Sequence, residues 1–151
     1  MVLRNEADTH ALARACAAVM KHGDVLLLEG ELGAGKTSFV TALAGQLGVT
    51  EPVRSPTYTI GHLYECANGL RLGHLDFYRT VQLDDAQWGD IEPYFEQATW
   101  TAVEWPGAIG EWIADRATWS ISLSHSGGTR RLARMACPHT DSVPQLLEAL
   151  A

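Results

Sequence analysis

A chain of 151 residues has the length of one domain and no room for two. Apolar residues make up 46% and charged residues 19%, which excludes a globally disordered chain. Eighteen acidic against eleven basic side chains give a net charge of −7, which argues against unaided binding to DNA, RNA or an anionic membrane, because each demands a basic footprint.

Cys16, Cys66 and Cys137 are odd in number, far apart and without a C-x-x-C pair. Neither a disulfide framework nor a zinc site is expected, and reduced thiols in the cytoplasm are the simplest reading. The opening residues show no apolar secretory core, and the run from Val25 to Leu28 is far too short to cross a bilayer. The expectation is one cytoplasmic domain over residues 1–151.

In chain order, Leu12, Ala15, Cys16 and Val19 recur at helical spacing and predict a helix from Thr9 to His22, capped by Asp8 or Thr9 and ended by Gly23. The apolar tetrad from Val25 to Leu28 reads as a strand covered on both faces in a parallel sheet. A glycine-rich turn leads into a helix from Lys36 to Leu47 with Phe39, Val40, Leu43 and Leu47 on one side. Two strand-like runs, Tyr58 to Cys66 and Leu70 to Tyr78, meet around Asn68-Gly69, a strong hairpin signal. A short helical stretch punctuated by Gly89 and Pro93 precedes a strand from Trp100 to Trp105, which Pro106 stops. Trp119 to Leu123 alternates, turns at Gly127-Gly128 and pairs with Leu132 to Ala136, and a last helix begins near Ser142. The order predicts an α/β sandwich with a mixed, largely parallel sheet flanked by helices.

The chemistry concentrates at Gly30-Glu-Leu-Gly-Ala-Gly35-Lys36-Thr37, which fits G-x-x-x-x-G-K-[ST] at every fixed position and lies between a strand and a helix. A triphosphate needs several N–H donors converging on one point, and a glycine-rich turn lets the backbone curl around it, while the positive end of the next helix favours the anion. In that cradle Lys36 reaches the β- and γ-phosphates and Thr37 offers its hydroxyl to Mg²⁺. A second oxygen ligand is sought at strand ends, where Asp76 and Glu104 stand; either is suited to hold Mg²⁺, directly or through water, or to orient an attacking water. Neither lysine of the chain, Lys21 or Lys36, stands in an Asn-Lys-x-Asp guanine-reading loop, so a GTP switch is disfavoured. Ser126-Gly-Gly-Thr129 is read as a turn, since no strand ending in an acidic pair follows it as in transporter ATPases.

Four blocks in order, Gly30 to Thr37, Ser55-Pro-Thr-Tyr-Thr-Ile60, His74-Leu-Asp-Phe-Tyr-Arg79 and Val103-Glu-Trp-Pro106, resemble the TsaE (YjeE-type) ATPases of bacterial tRNA threonylcarbamoyladenosine synthesis. The resemblance spans residues 9–131. It implies a P-loop ATPase that uses ATP and Mg²⁺ and associates with the TsaB–TsaD pair, which modifies the adenosine beside the anticodon, so that tRNA is met only through partners. It further implies that Leu32, Gly33, Ala34, Gly35, Lys36 and Thr37 cradle phosphate and that Thr37 and Glu104 serve Mg²⁺. Asp76 takes the acidic role near the metal or attacking water, Thr57 lies on a loop sensing the γ-phosphate, and Thr9 and Arg130 match nucleotide-touching positions.

Two other functions stay open on the residues: a small-molecule or nucleoside kinase with Arg79, Arg130 or Arg131 as lid residues, and a nucleotide-gated binding module without useful hydrolysis. Trp105 reads most simply as a core or edge aromatic, and His74 as a satisfied or surface histidine. Residues 80–115 contain eight acids and, apart from these, no lysine or arginine. That pattern reads as a solvated face or as a surface steering a basic partner. On the second reading, neutralising Asp84, Asp85 and Asp90 together slows association at low salt in stopped-flow measurements, and an unchanged on-rate removes it.

Overall fold

Apolar residues alternate along β2 (Val25–Glu29), sending Leu26 and Leu28 into one core and Val25 into another on the opposite face of the sheet. The computed structural model describes residues 1–56 and 59–150. Around β2 lie β1 (Val2–Leu3), β3 (Gly61–Glu65), β4 (Arg71–Asp76), β5 (Trp100–Glu104), β6 (Thr118–His125) and β7 (Arg131–Ala136). They form one sheet in the order β1-β7-β6-β2-β5-β4-β3. The four central strands β6-β2-β5-β4 run parallel, and the antiparallel pairs β1–β7, β6–β7 and β3–β4 complete the two sides. The mixed, largely parallel sheet expected from the sequence is therefore present.

One face is covered by α1 (Glu6–Val19), α2 (Lys36–Gln46) and α4 (Val143–Ala149), which bury residues such as Leu12, Cys16, Phe39, Leu43 and Leu146 against Leu26, Leu28 and Trp119. The other face is covered by α3 (Asp85–Gln97), whose Trp88, Ile91 and Phe95 pack with Leu75, Val103 and Ile113. Among the described residues, no helix is long and apolar enough to cross a membrane.

Several boundaries differ from the sequence expectation. The first helix begins at Glu6, because Asn5 accepts the Asp8 N–H and caps it ahead of Asp8 and Thr9. The hairpin strands are shorter than expected at both outer ends, with Asn68 and Gly69 both at positive φ in the connection, as the sequence signal requires. Gly89 and Pro93 sit inside α3 and do not bound it. A reciprocal capping box between Asp84 and Gln87 starts that helix, and its buried aromatic stripe outweighs the one hydrogen bond that Pro93 forfeits.

At the amino end of β2, away from the glycine-rich turn, Asp24 is 1% exposed. It accepts the Lys21 N–H at 2.9 Å and Trp119 Nε1–H at 2.7 Å, and His139 Nε2 lies 2.8 Å away. This one carboxylate ties the core tryptophan of β6 to the segment that leads into α4. Asp24→Ala strands the buried indole N–H and is expected to cost about 3 kcal/mol, read as a lower urea midpoint at unchanged slope; a wild-type midpoint would contradict it.

Candidate functional site

The glycine-rich turn leaves the carboxyl end of β2 through Gly30, where a Cβ would fall on the carbonyl oxygen of Leu123 in β6, so only glycine passes. Gly35, at φ +105°, turns the chain into α2 and acts as its N-cap without any side-chain hydrogen bond. The first N–H groups of α2 therefore have no capping side chain from Gly35, leaving an anion-binding end.

Lys36, the first residue of α2, is 4% exposed and folds back over the turn. Its Nζ donates to the carbonyls of Gly30 at 2.7 Å and Glu31 at 2.9 Å, and it lies 4.0 Å from the centroid of the Trp105 ring. Burial pushes this ammonium below the usual lysine range, and the nearby Glu104 and Asp76 carboxylates pull it back up. Trp105 holds that position from the left-handed region, at φ 56° and ψ 58°, which costs a non-glycine residue about 1–2 kcal/mol. Its ring also packs on Tyr78, with centroids 4.9 Å apart.

The parallel register sets the acids. Leu28 of β2 stands opposite Glu104 of β5, and Glu104 stands opposite Asp76 of β4, so both carboxylates end their strands beside the turn. Glu104 is 2% exposed. Thr37 Oγ1 donates to its Oε1 at 3.0 Å, with Oε2 at 3.2 Å, and His74 Nε2 lies 2.9 Å from Oε1. Asp76 accepts from Ser55 Oγ at 2.8 Å and from the Tyr78 N–H at 2.9 Å. Thr37, Ser55, Asp76, Tyr78 and Glu104 line a cleft of about 670 Å³, within the usual range of a small-molecule site, which Arg79 also lines, while His74 lies behind it in the core.

Of the residues expected from the sequence, Leu32, Gly33, Gly35, Lys36, Thr37, Asp76 and Glu104 all line the cleft. Ala34 does not: it is buried, and its N–H closes the turn onto the Glu31 carbonyl. Thr9 is buried one turn into α1 and does not line the cleft. Arg130 is exposed on the β6–β7 turn, whereas the neighbouring Arg131 donates from NH2 to the Gly33 carbonyl at 3.2 Å. Thr57 lies outside the described residues. Sequence reading underrated Trp105 and His74; the signals available were a tryptophan directly after a strand-end acid and a histidine two residues before one.

The donor set suits a magnesium ion. Adjacent ligands on an octahedron with bonds of about 2.1 Å stand about 3.0 Å apart, matching the 3.0 Å between Thr37 Oγ1 and Glu104 Oε1. Among the described residues there is no group of three or more His, Cys, Asp or Glu able to hold a metal. Two protein oxygens with the remaining positions left to phosphate and water is the pattern of magnesium with a nucleotide.

A family model described as threonylcarbamoyl adenosine biosynthesis protein TsaE matches residues 3–133. The tRNA threonylcarbamoyladenosine biosynthesis protein TsaE of Bacillus subtilis is 44% identical over 128 residues, covering 84% of this chain and 78% of that protein. The chain belongs to the TsaE family. The Streptomyces coelicolor TsaE is 36% identical over 108 residues, covering 70% of this chain and 72% of its own length. The crystal structure of Bacillus subtilis YdiB matches 99% of this chain and 91% of its own, with a TM-score of 0.75 at 32% identity. As a TsaE protein the chain has a role in tRNA threonylcarbamoyladenosine biosynthesis.

Lys36→Ala removes the buried cation of this TsaE cleft. Affinity for a fluorescent adenine nucleotide is expected to fall about tenfold or more with the circular dichroism spectrum unchanged. Wild-type affinity in that variant would refute the role.

Proposed function

We propose that this TsaE protein binds and hydrolyses ATP with Mg²⁺ and does so in the service of the TsaB–TsaD pair. The observation that carries the reading is the convergence, in one cleft, of the glycine-rich turn, a buried lysine and a Thr37–Glu104 oxygen pair at magnesium spacing. In the proposed reaction water attacks the γ-phosphorus, the bond from that phosphorus to the β,γ-bridging oxygen breaks, and ADP and phosphate leave.

The N–H groups of Leu32, Gly33, Gly35, Lys36 and Thr37 hold the phosphates while that of Ala34 stays on the Glu31 carbonyl, and Lys36 exchanges its two carbonyl partners for phosphate oxygens, releasing its hold on the turn. Thr37 and Glu104 would hold Mg²⁺, which when bound would supply charge neutralisation at the phosphates. Asp76, held by Ser55 and the Tyr78 N–H, accepts a hydrogen bond from the attacking water and aligns it. Arg79 adds positive charge at the cleft wall.

The partner comes from the family resemblance and the rest from charge. A chain at −7 is suited to a protein client; on this reading it meets tRNA only through TsaB–TsaD, binds neither DNA nor membrane, and works in the cytoplasm.

ATP hydrolysis measured with and without purified TsaB–TsaD tests this. Slow turnover alone and faster turnover in the mixture are expected, with Asp76→Asn lowering the partner-stimulated rate about a hundredfold. Absence of ADP formation even in the assembled mixture would leave ATP as a gate on partner binding and overturn the hydrolytic role.

A further inference from the structure

His74 is 0% exposed on β4, on the sheet face that α2 covers, two residues before Asp76. Its Nε2 reaches Glu104 Oε1 at 2.9 Å, the same oxygen that Thr37 bonds from the cleft side. A carboxylate only accepts, so the proton of the bond sits on Nε2. The other ring nitrogen, Nδ1, is buried and has no hydrogen-bond partner among the described residues. An imidazole at this position therefore leaves one polar atom unsatisfied, which a core aliphatic residue would avoid. Its one polar bond goes to the carboxylate. The ring also makes a tilted contact with Tyr64, at 6.4 Å between centroids.

We infer that His74 is a positioning residue for the divalent cation: from inside the core it holds Glu104 in the rotamer that leaves the carboxylate facing Thr37. This rests on the nucleotide–magnesium reading above and deepens it. A glutamate has three side-chain torsions, and a strand-end glutamate held only by Thr37 would be free to swing when that hydroxyl turns to a metal. His74 supplies the hold that persists when Thr37 lets go, and Glu104 meets the ion already oriented. Hydrogen-bond partners of metal-ligating carboxylates act in this way generally.

Mn²⁺ titrated into the protein–ADP complex and followed by electron paramagnetic resonance tests the inference directly, with ADP affinity measured separately in EDTA. His74→Phe keeps the ring and removes the donor; His74→Leu serves if the larger ring destabilises the fold. Either is expected to weaken Mn²⁺ binding about ten- to a hundredfold while ADP affinity in EDTA stays at the wild-type value. His74→Gln, which returns an N–H near the Nε2 position, is expected to recover most of the loss. In a Glu104→Gln background the His74 substitutions should add nothing further.

Wild-type Mn²⁺ affinity in both donor-less variants overturns the positioning role, and so does an equal loss of ADP affinity in EDTA or an undiminished effect in the Glu104→Gln background. A wild-type chain that binds ADP but takes up no Mn²⁺ instead overturns the magnesium reading on which the inference rests.

Discussion

Glu104 ends the central strand β5 with its carboxylate 2% exposed, and a carboxylate so placed is stable only while polar partners surround it. Those partners come from two elements: Thr37 and, through the field in the cleft, the Lys36 ammonium from the first turn of α2, and His74 from β4. Each must arrive at its place for the others to be tolerated. The turn, the helix start and two strand ends are thereby tied to one buried group, and the cleft is arranged before any ligand enters.

The sheet makes that arrangement possible. In parallel strands every carboxyl end points the same way, so β2, β5 and β4 deliver Leu28, Glu104 and Asp76 abreast. A slip of one residue in β4 would send His74 and Asp76 to the face covered by α3, toward the apolar Ile91 and Phe95, and would turn Leu75 out of that core. Asp24, at the other end of β2, anchors Trp119 of β6 and so helps hold the neighbouring strand against β2 from the end away from the cleft. Rigidity at one end and a ligand-ready turn at the other are properties of the same strand.

The arrangement around Lys36 has a different character. Its two carbonyl bonds, the Trp105 ring above it and the Arg131 contact to Gly33 hold the turn in shape by protein groups alone. Trp105 takes up an unfavourable backbone conformation to do so, the kind of local strain found where a residue is positioned for function. β7 thus reaches the turn through its first residue, Arg131, where the resemblance points to Arg130.

What the amino-acid order determined alone was everything governed by local rules: the strand–turn–helix of the phosphate loop, the Asn68-Gly69 hairpin, the strand-end placement of Asp76 and Glu104, and the α/β class. Turn conformation, helical spacing and alternation act over a few residues, so they are written in short stretches of chain. The tertiary structure alone decided which of two adjacent arginines meets the loop, that Thr9 is packed away from the cleft and that Trp105 covers the lysine. It also decided that a histidine with the pattern of a core residue holds the Glu104 carboxylate. These are contacts between residues 30 to almost 100 positions apart, set by strand order and register, and no local pattern encodes them.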